Sequence, residues 1–299
     1  MEACPAPIVG ITGSAGKTTT TALLGLMARL YYEMKNSPRR AWVGGNIGNP
    51  LIDQVAEMHE DDLVILELSS FQLELMTVSP PVAGVLNVTP NHLDRHGRMA
   101  AYIAAKSHIY AHQDAQDIAV FGRDDPHARA MSAHAPGRMA EFSLVERVPS
   151  GAYLRGDELL VTASDSAPGT VYEVVCSRAA IRLRGDHNVL NALAACALAG
   201  AARLPVEAMR AAIETFNGVE HRLETVAVIG GVTWVNDSIA TAPERVIAAL
   251  RSYSEPLVLL AGGRDKNLPW AEMAALAATR CPVVICFGEY GPRVAEHME

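Results

Sequence analysis

The stretch Gly10-Ile11-Thr12-Gly13-Ser14-Ala15-Gly16-Lys17-Thr18-Thr19 decides the fold. It overlaps the end of an apolar run, Ile8 to Thr12, and leads into the amphipathic stretch Thr20 to Tyr32, so it reads as a turn between a buried strand and a helix. Glycines there let backbone N–H groups close around phosphate oxygens, Lys17 would reach the terminal phosphates, and the Thr18 hydroxyl can meet a magnesium ion. Gly13, Ser14, Ala15, Gly16, Lys17, Thr18 and Thr19 are therefore candidate phosphate contacts. A strict Walker A motif needs glycine where this chain has Ile11, which makes the loop a variant. The competing reading is a plain glycine-rich helix cap; Gly-Lys-Thr in a strand–loop–helix setting favours phosphate.

Outward from this loop, apolar runs of strand length alternate with helix-length segments, the pattern of a parallel sheet covered by helices. Strands are predicted at Ile8 to Thr12, Leu63 to Leu68, Val82 to Val88, Ile118 to Phe121, Val226 to Ile229, Val232 to Asn236, Leu257 to Ala261 and Val283 to Phe287. Helices are predicted after Lys17, Met99, Asp186, Val206, Pro243 and Trp270. Between Gly151 and Val175, Thr, Tyr and Val are broken by Gly156-Asp157 and Pro168-Gly169, which predicts hairpins at an antiparallel edge. The fold class is thus α/β: a P-loop-type, mostly parallel sheet with helices on both faces, spanning 1–219. A second, Rossmann-like α/β domain spans 220–299, the boundary following the helix ends at Asn217-Gly218.

Composition narrows the function classes. The 299 residues are 49% hydrophobic and 19% charged, a globular balance, and suffice for about two domains. With 33 acidic against 25 basic residues and a net charge of -8, no nucleic acid partner is expected, and anionic ligands must be met by a few placed cations. Five cysteines without a CxxC pair indicate neither a disulfide framework nor a zinc ribbon, and reduced thiols suit a cytoplasmic protein. No apolar run is long enough to span a bilayer, and no membrane association is expected.

Other segments carry candidate chemistry. Glu67 ends an apolar strand and precedes Ser69-Ser70-Phe71-Gln72, which places a carboxylate at the sheet's carboxyl edge, where a phosphate loop needs a magnesium partner. In Asn87-Val88-Thr89-Pro90-Asn91-His92-Leu93-Asp94-Arg95-His96, the residues His92, Asp94 and His96 are either metal ligands or an ordinary polar loop. Lys106 shares a helical stripe with Tyr102, Ile103, Ile109 and Tyr110, so it either snorkels or is buried with a lowered pKa and an available neutral amine. Asn188 and Asn191, three apart at the start of an Ala-rich helix, share one face and can read an adenine edge or simply occupy a first turn capped by Asp186. Thr241 and Glu244 have capping-box spacing, and Gly262-Gly263-Arg264-Asp265-Lys266 is a candidate anion turn.

The order of these motifs resembles the Mur ligase superfamily: T-G-S-x-G-K-[ST]-T, then a strand-end Glu, an N-x-x-x-x-H-L-D segment, an H-N-x-x-N-A helix and an H-R pair, here His221-Arg222. Gly44-Gly45-Asn46-Ile47-Gly48, Glu67 to Glu74 and Asn236-Asp237-Ser238 resemble its D-glutamate-adding branch. The resemblance implies ATP-dependent amide synthesis in peptidoglycan precursor assembly, with UDP-N-acetylmuramoyl-L-alanine and D-glutamate as partners and a monomeric protein. It implies two Mg2+ ions, one on Thr18 and Glu67, the other on His92 and a carbamylated Lys106, with Lys17, His92 and Lys106 the catalytic set. Asn188 and Asn191 would meet adenine, Arg222 and Asp237 the nucleotide, Asn46, Ser69 and Gln72 the muramoyl substrate, and Thr241 and Lys266 D-glutamate. Ile239 stands where many members of that branch have lysine. Family members also begin with a UDP-binding domain and extend further at the end, so the chain is expected to hold the ATP-activating centre and part of the ligand domain.

Overall fold

The computed structural model describes residues 1–47, 50–162, 171–219, 223–241, 243–263, 269–289 and 291–298. It divides into two units, Met1–Phe216 and Asn217–Glu299.

In the first unit the strands are β1 (Ile8–Thr12), β2 (Ala41–Gly45), β3 (Leu63–Glu67), β4 (Val82–Val85), β5 (Ile118–Gly122), β6 (Arg138–Ser143), β7 (Gly151–Arg155), β8 (Glu158–Thr162) and β9 (Tyr172–Ser177). The helices are α1 (Lys17–Met34), α2 (Ser70–Leu73), α3 (Leu93–His96), α4 (Met99–Ser107), α5 (Pro126–Ser132), α6 (Asp186–Ala201) and α7 (Val206–Thr215). One nine-stranded sheet runs β2-β3-β1-β4-β5-β6-β7-β8-β9. It is parallel from β2 through β7 and antiparallel across β7, β8 and β9. The mostly parallel sheet and the antiparallel edge agree with the sequence reading; of the two turns predicted there, Gly156-Asp157 links β7 to β8, while Pro168-Gly169 lies outside the described residues.

The two faces of the sheet carry separate cores, which is why its strands read as continuous apolar runs. In β5, Val120 joins the core formed with α1, α6 and α7, whereas Ala119 and Phe121 join that formed with Tyr102, Ile109 and Tyr110. Two strands escape the apolar-run criterion. β2 is Ala-Trp-Val-Gly-Gly, and β6 begins with exposed Arg138 and Met139 and buries Glu141 against Arg123 at 2.8 Å. Predicted Val82 to Val88 is shorter as a strand, because after Val85 the backbone turns to the loops at the sheet's carboxyl edge.

The second unit holds a hairpin of β10 (Glu224–Ile229) and β11 (Val232–Asn236), and a parallel pair of β12 (Val258–Gly262) and β13 (Val283–Phe287). Its helices are α8 (Pro243–Arg251), α9 (Ala271–Arg280) and α10 (Gly291–Met298). Ile247, Leu250, Met273 and Ala277 of α8 and α9 form its buried core.

Candidate functional site

Strand order places the site. From β1 the chain goes to β2 and β3 on one side and then crosses to β4 on the other, so the crevice outside the carboxyl ends of β3, β1 and β4 is the topological switch point where open α/β sheets collect ligands. The phosphate-loop candidate leaves β1 there; Glu67 ends β3 opposite Ile11, and Asn87 follows β4. The loop turns at Gly16, φ 83°, a left-handed value suited to glycine, and α1 starts at Lys17. The first-turn N–H groups of Thr18 and Thr19 have no intrahelical acceptor in an α-helix, which leaves them for an anion.

A clamp that the sequence reading gave no role holds this loop. Asn87 Oδ1 accepts from the Ala15 N–H at 2.8 Å, its Nδ2 donates to the Ala15 carbonyl at 3.1 Å, and its own carbonyl accepts from the Ser14 N–H at 2.9 Å. The Ser14 hydroxyl is also engaged: it bonds the Thr89 carbonyl at 2.9 Å, takes the Thr89 N–H at 2.9 Å, and lies 3.1 Å from the Tyr102 hydroxyl. Ser14 and Ala15 thus shape the loop through their neighbours. A polar amide directly after an apolar strand was the available signal for Asn87.

Lys106 does not snorkel. It is 1% exposed, donates to the Gly13 carbonyl at 3.0 Å and the Thr12 hydroxyl at 3.2 Å, and sits 4.7 Å from the Tyr102 ring centroid. These contacts favour the ammonium, but burial, helped by the nearby Lys17 charge, outweighs them and brings its pKa down to about 7. Lys17 donates to the same Gly13 carbonyl at 2.8 Å.

Glu67 is 2% exposed. Its Oε1 accepts from Asn46 Nδ2 at 3.0 Å, while Oε2 is buried with no hydrogen-bond partner among the described residues. A buried half-partnered carboxylate is costly unless a cation completes it, so the Glu67 oxygens fit a hard divalent ion; Thr18, in the first turn of α1, is the hydroxyl the sequence pairs with it. Gly45 makes the approach possible: at φ 100°, a Cβ there would stand 2.2 Å from the Glu67 carbonyl oxygen. Asn46 is exposed and is tied to Glu67, also through its N–H to the Glu67 carbonyl at 2.8 Å.

Ser69 and Gln72 form a capping box at the start of α2, with Ser69 N–H on Gln72 Oε1 at 2.9 Å and Gln72 N–H on Ser69 Oγ at 3.3 Å. Such a cap contributes about 1 kcal/mol. His92 is exposed and left-handed, φ 54°, with its ring edge on Phe71, 5.2 Å between centroids. His96, by contrast, is buried against Ser70; the side chain of Asp94 lies outside what is described.

Asn188 and Asn191 share one face of α6 and are hydrogen-bonded, Nδ2 of Asn191 to Oδ1 of Asn188 at 3.2 Å. That face abuts the phosphate loop, since a Cβ on Gly16 would come within 2.2 Å of Asn191 Oδ1. In the second unit Asp237 Oδ1 accepts from the Leu223 N–H at 3.1 Å, bracing the hairpin, and Thr241 is exposed. Arg222, Lys266, the rest of the anion turn at 264–266 and the side chain of Glu244 lie outside the described residues. Among the described residues no helix is long and apolar enough to cross a membrane.

A glycine-rich loop at the switch point of a parallel sheet, with a lysine, a hydroxyl and a buried carboxylate around it, defines a P-loop-type nucleotide-binding domain. The profile of the Mur ligase middle domain matches residues 11–199, and the chain belongs to the Mur ligase family. It is 41% identical over 297 residues to the UDP-N-acetylmuramoylalanine--D-glutamate ligase of Clostridium kluyveri, covering 99% of this chain and 61% of that relative. The chain therefore spans about three-fifths of the length of the curated relatives it matches. Among solved structures, UDP-N-acetylmuramoylalanyl-D-glutamyl-2,6-diaminopimelate--D-alanyl-D-alanyl ligase from Acinetobacter baumannii aligns with a TM-score of 0.72 at 22% identity, covering 99% of this chain and 66% of that one. MurF ligase from Thermotoga maritima in complex with ADP aligns at 0.68 and 19%, covering 98% and 69%. At such identities these two share the fold.

Proposed function

We propose that this chain carries the ATP-activating centre of a cytoplasmic ligase that adds D-glutamate to UDP-N-acetylmuramoyl-L-alanine, in peptidoglycan precursor synthesis. The observation that carries the reading is the buried Glu67 carboxylate, half-partnered beside a phosphate loop. The relatives' printed names support the choice of substrates.

In this reading the substrate carboxylate attacks the γ-phosphate of ATP, the bond to the β-phosphate oxygen breaks, and an acyl phosphate and ADP result. The amine of D-glutamate then adds to the acyl carbon, loses a proton, and expels phosphate to leave the amide. Phosphoryl transfer demands position and charge neutralisation more than covalent help. Lys17 leaves the Gly13 carbonyl for the β and γ phosphates, and the first-turn amides of α1 hold their oxygens. Asn188 and Asn191 meet the adenine, and Arg222 and Asp237 are the further nucleotide contacts of the reading. Asn46, Ser69 and Gln72 line the muramoyl substrate, with Thr241 and Lys266 toward D-glutamate, in a monomer.

Magnesium, two ions, would supply charge neutralisation on the transferring phosphate. Thr18 and Glu67 would hold one, His92 and Lys106 the other. Lys106 serves as a carbamate: with its pKa near 7, a neutral fraction of the amine exists at physiological pH to take up CO2.

Measuring ATP binding and phosphate release by this chain, and by a version carrying the relatives' additional length, tests the proposal. Release stimulated by D-glutamate together with UDP-N-acetylmuramoyl-L-alanine is expected of the longer version. Stimulation by a diamino acid or L-alanine instead would reject the substrate assignment. ATP binding without substrate-dependent release would leave a nucleotide-binding module, and no ATP binding would sink the phosphate-loop reading.

A further inference from the structure

The loops after β3 and β4 meet through a buried pair that the proposed chemistry does not use. The His96 side chain is 1% exposed; its Nε2 lies 3.0 Å from Ser70 Oγ, and its Nδ1 lies 3.4 Å from Glu74 Oε1. Nδ1 faces the carboxylate, and Nε2 is the nitrogen that meets the Ser70 hydroxyl. Rings fix its plane: Phe71 stacks on it at 5.3 Å and 4°, and Tyr102 stands 5.1 Å away. The imidazole's orientation is thus set by the Ser70 hydrogen bond, the facing Glu74 carboxylate and two ring contacts.

Each end of the pair adjoins a residue read above as a metal donor. Ser70, the first residue of α2, follows the strand-end Glu67 by three positions. His96 follows His92 by four, and the His92 carbonyl accepts the N–H groups of Arg95 and His96 at 3.1 and 3.0 Å. The left-handed backbone of His92 is disfavoured for a residue with a Cβ, so its surroundings must hold it. Phe71, between Ser70 and Gln72, touches both His92 and His96.

We propose that His96 is a positioning residue: through Ser70 it fastens the loop bearing His92 to the strand end bearing Glu67, and so sets the spacing of two donors for divalent cations. This rests on the metal reading of Glu67 and His92. Metal-site supports of this kind typically contribute about ten- to a hundredfold in affinity.

The test is Mn2+ binding to the full chain in the presence of ADP, followed by electron paramagnetic resonance, alongside ADP affinity in EDTA by calorimetry. His96→Phe keeps the ring faces and removes both nitrogens; Ser70→Ala removes one hydroxyl. Both should weaken Mn2+ about tenfold and leave metal-free ADP affinity unchanged. Should His96→Phe fail to fold, Ser70→Ala carries the test alone. Wild-type Mn2+ affinity in Ser70→Ala, or an equal loss of metal-free ADP binding, would overturn the positioning role. No Mn2+ uptake by the unaltered chain would overturn the metal reading itself, and this role with it.

Discussion

The ammonium groups of Lys17 and Lys106 converge on one acceptor, the Gly13 carbonyl oxygen, at 2.8 and 3.0 Å. Lys106 is buried, and the Lys17 charge beside it adds to the cost of its own. A ligand phosphate that draws Lys17 off Gly13 changes the field at Lys106, so phosphate binding and the charge state of this lysine are linked.

That link has a signature in stability against pH. The unfolded chain holds the Lys106 proton up to its ordinary pKa of 10.5, whereas the folded chain releases it near 7. Between these values the unfolded state binds more protons, so stability rises with pH; the penalty is complete below about pH 7 and fades as pH climbs toward about 10. Lys106→Met carries no such proton. Urea unfolding across this range should show the advantage of Met over Lys shrinking as pH rises, and a constant difference would contradict the burial argument.

For the role of Lys106 in turnover, Lys106→Ala should abolish substrate-dependent phosphate release, and added short carboxylic acids should partly restore it by standing in for the carbamate. Full activity in the variant would return the residue to a structural role.

Glu67→Gln separates stability from function. The amide keeps the acceptor for Asn46 and removes a buried, unsatisfied charge, so stability should rise by about 1 kcal/mol. Mn2+ binding with ADP should be lost. A destabilised variant would mean that the charge has a partner in the folded state.

Asn87→Ala removes two hydrogen bonds to Ala15 worth about 1 kcal/mol each. Since they hold the phosphate loop, ADP affinity should fall about tenfold. Calorimetry that shows unchanged affinity would mean that the loop keeps its shape without the clamp.

Gly16→Ala places a Cβ 2.2 Å from Asn191 Oδ1 in a backbone at φ 83°. The cost should be about 1–3 kcal/mol, and Asn191→Ala in the same chain should recover only the part due to contact. Complete recovery would mean that the backbone conformation carries no strain.

Local order was readable where a single rule governs. β1 and its loop follow from an apolar run that ends in glycines before an amphipathic segment, and β11 and β13 have their predicted ends. β2 and β6 were missed because their places depend on pairing, β2 against β3 and β6 against β5, and not on their own composition. Ser69 and Gln72 show a different limit. Their spacing serves a helix cap and a ligand equally, and the cap's hydrogen bonds are formed.

By itself the sequence determined the phosphate loop, the alternation of strands and helices, and the succession of motifs that resembles the Mur ligases. Those are short-range properties, set by hydrogen-bonding needs and periodicity within a few residues. Only the tertiary structure decided that Lys106, 93 positions from Gly13, ends on its carbonyl, that one oxygen of Glu67 is buried without a partner among the described residues, and that His96 ties to Ser70 while His92 stays exposed. Parallel strands pair residues distant in sequence, and the burial that lowers a lysine's pKa or encloses a carboxylate comes from those distant neighbours.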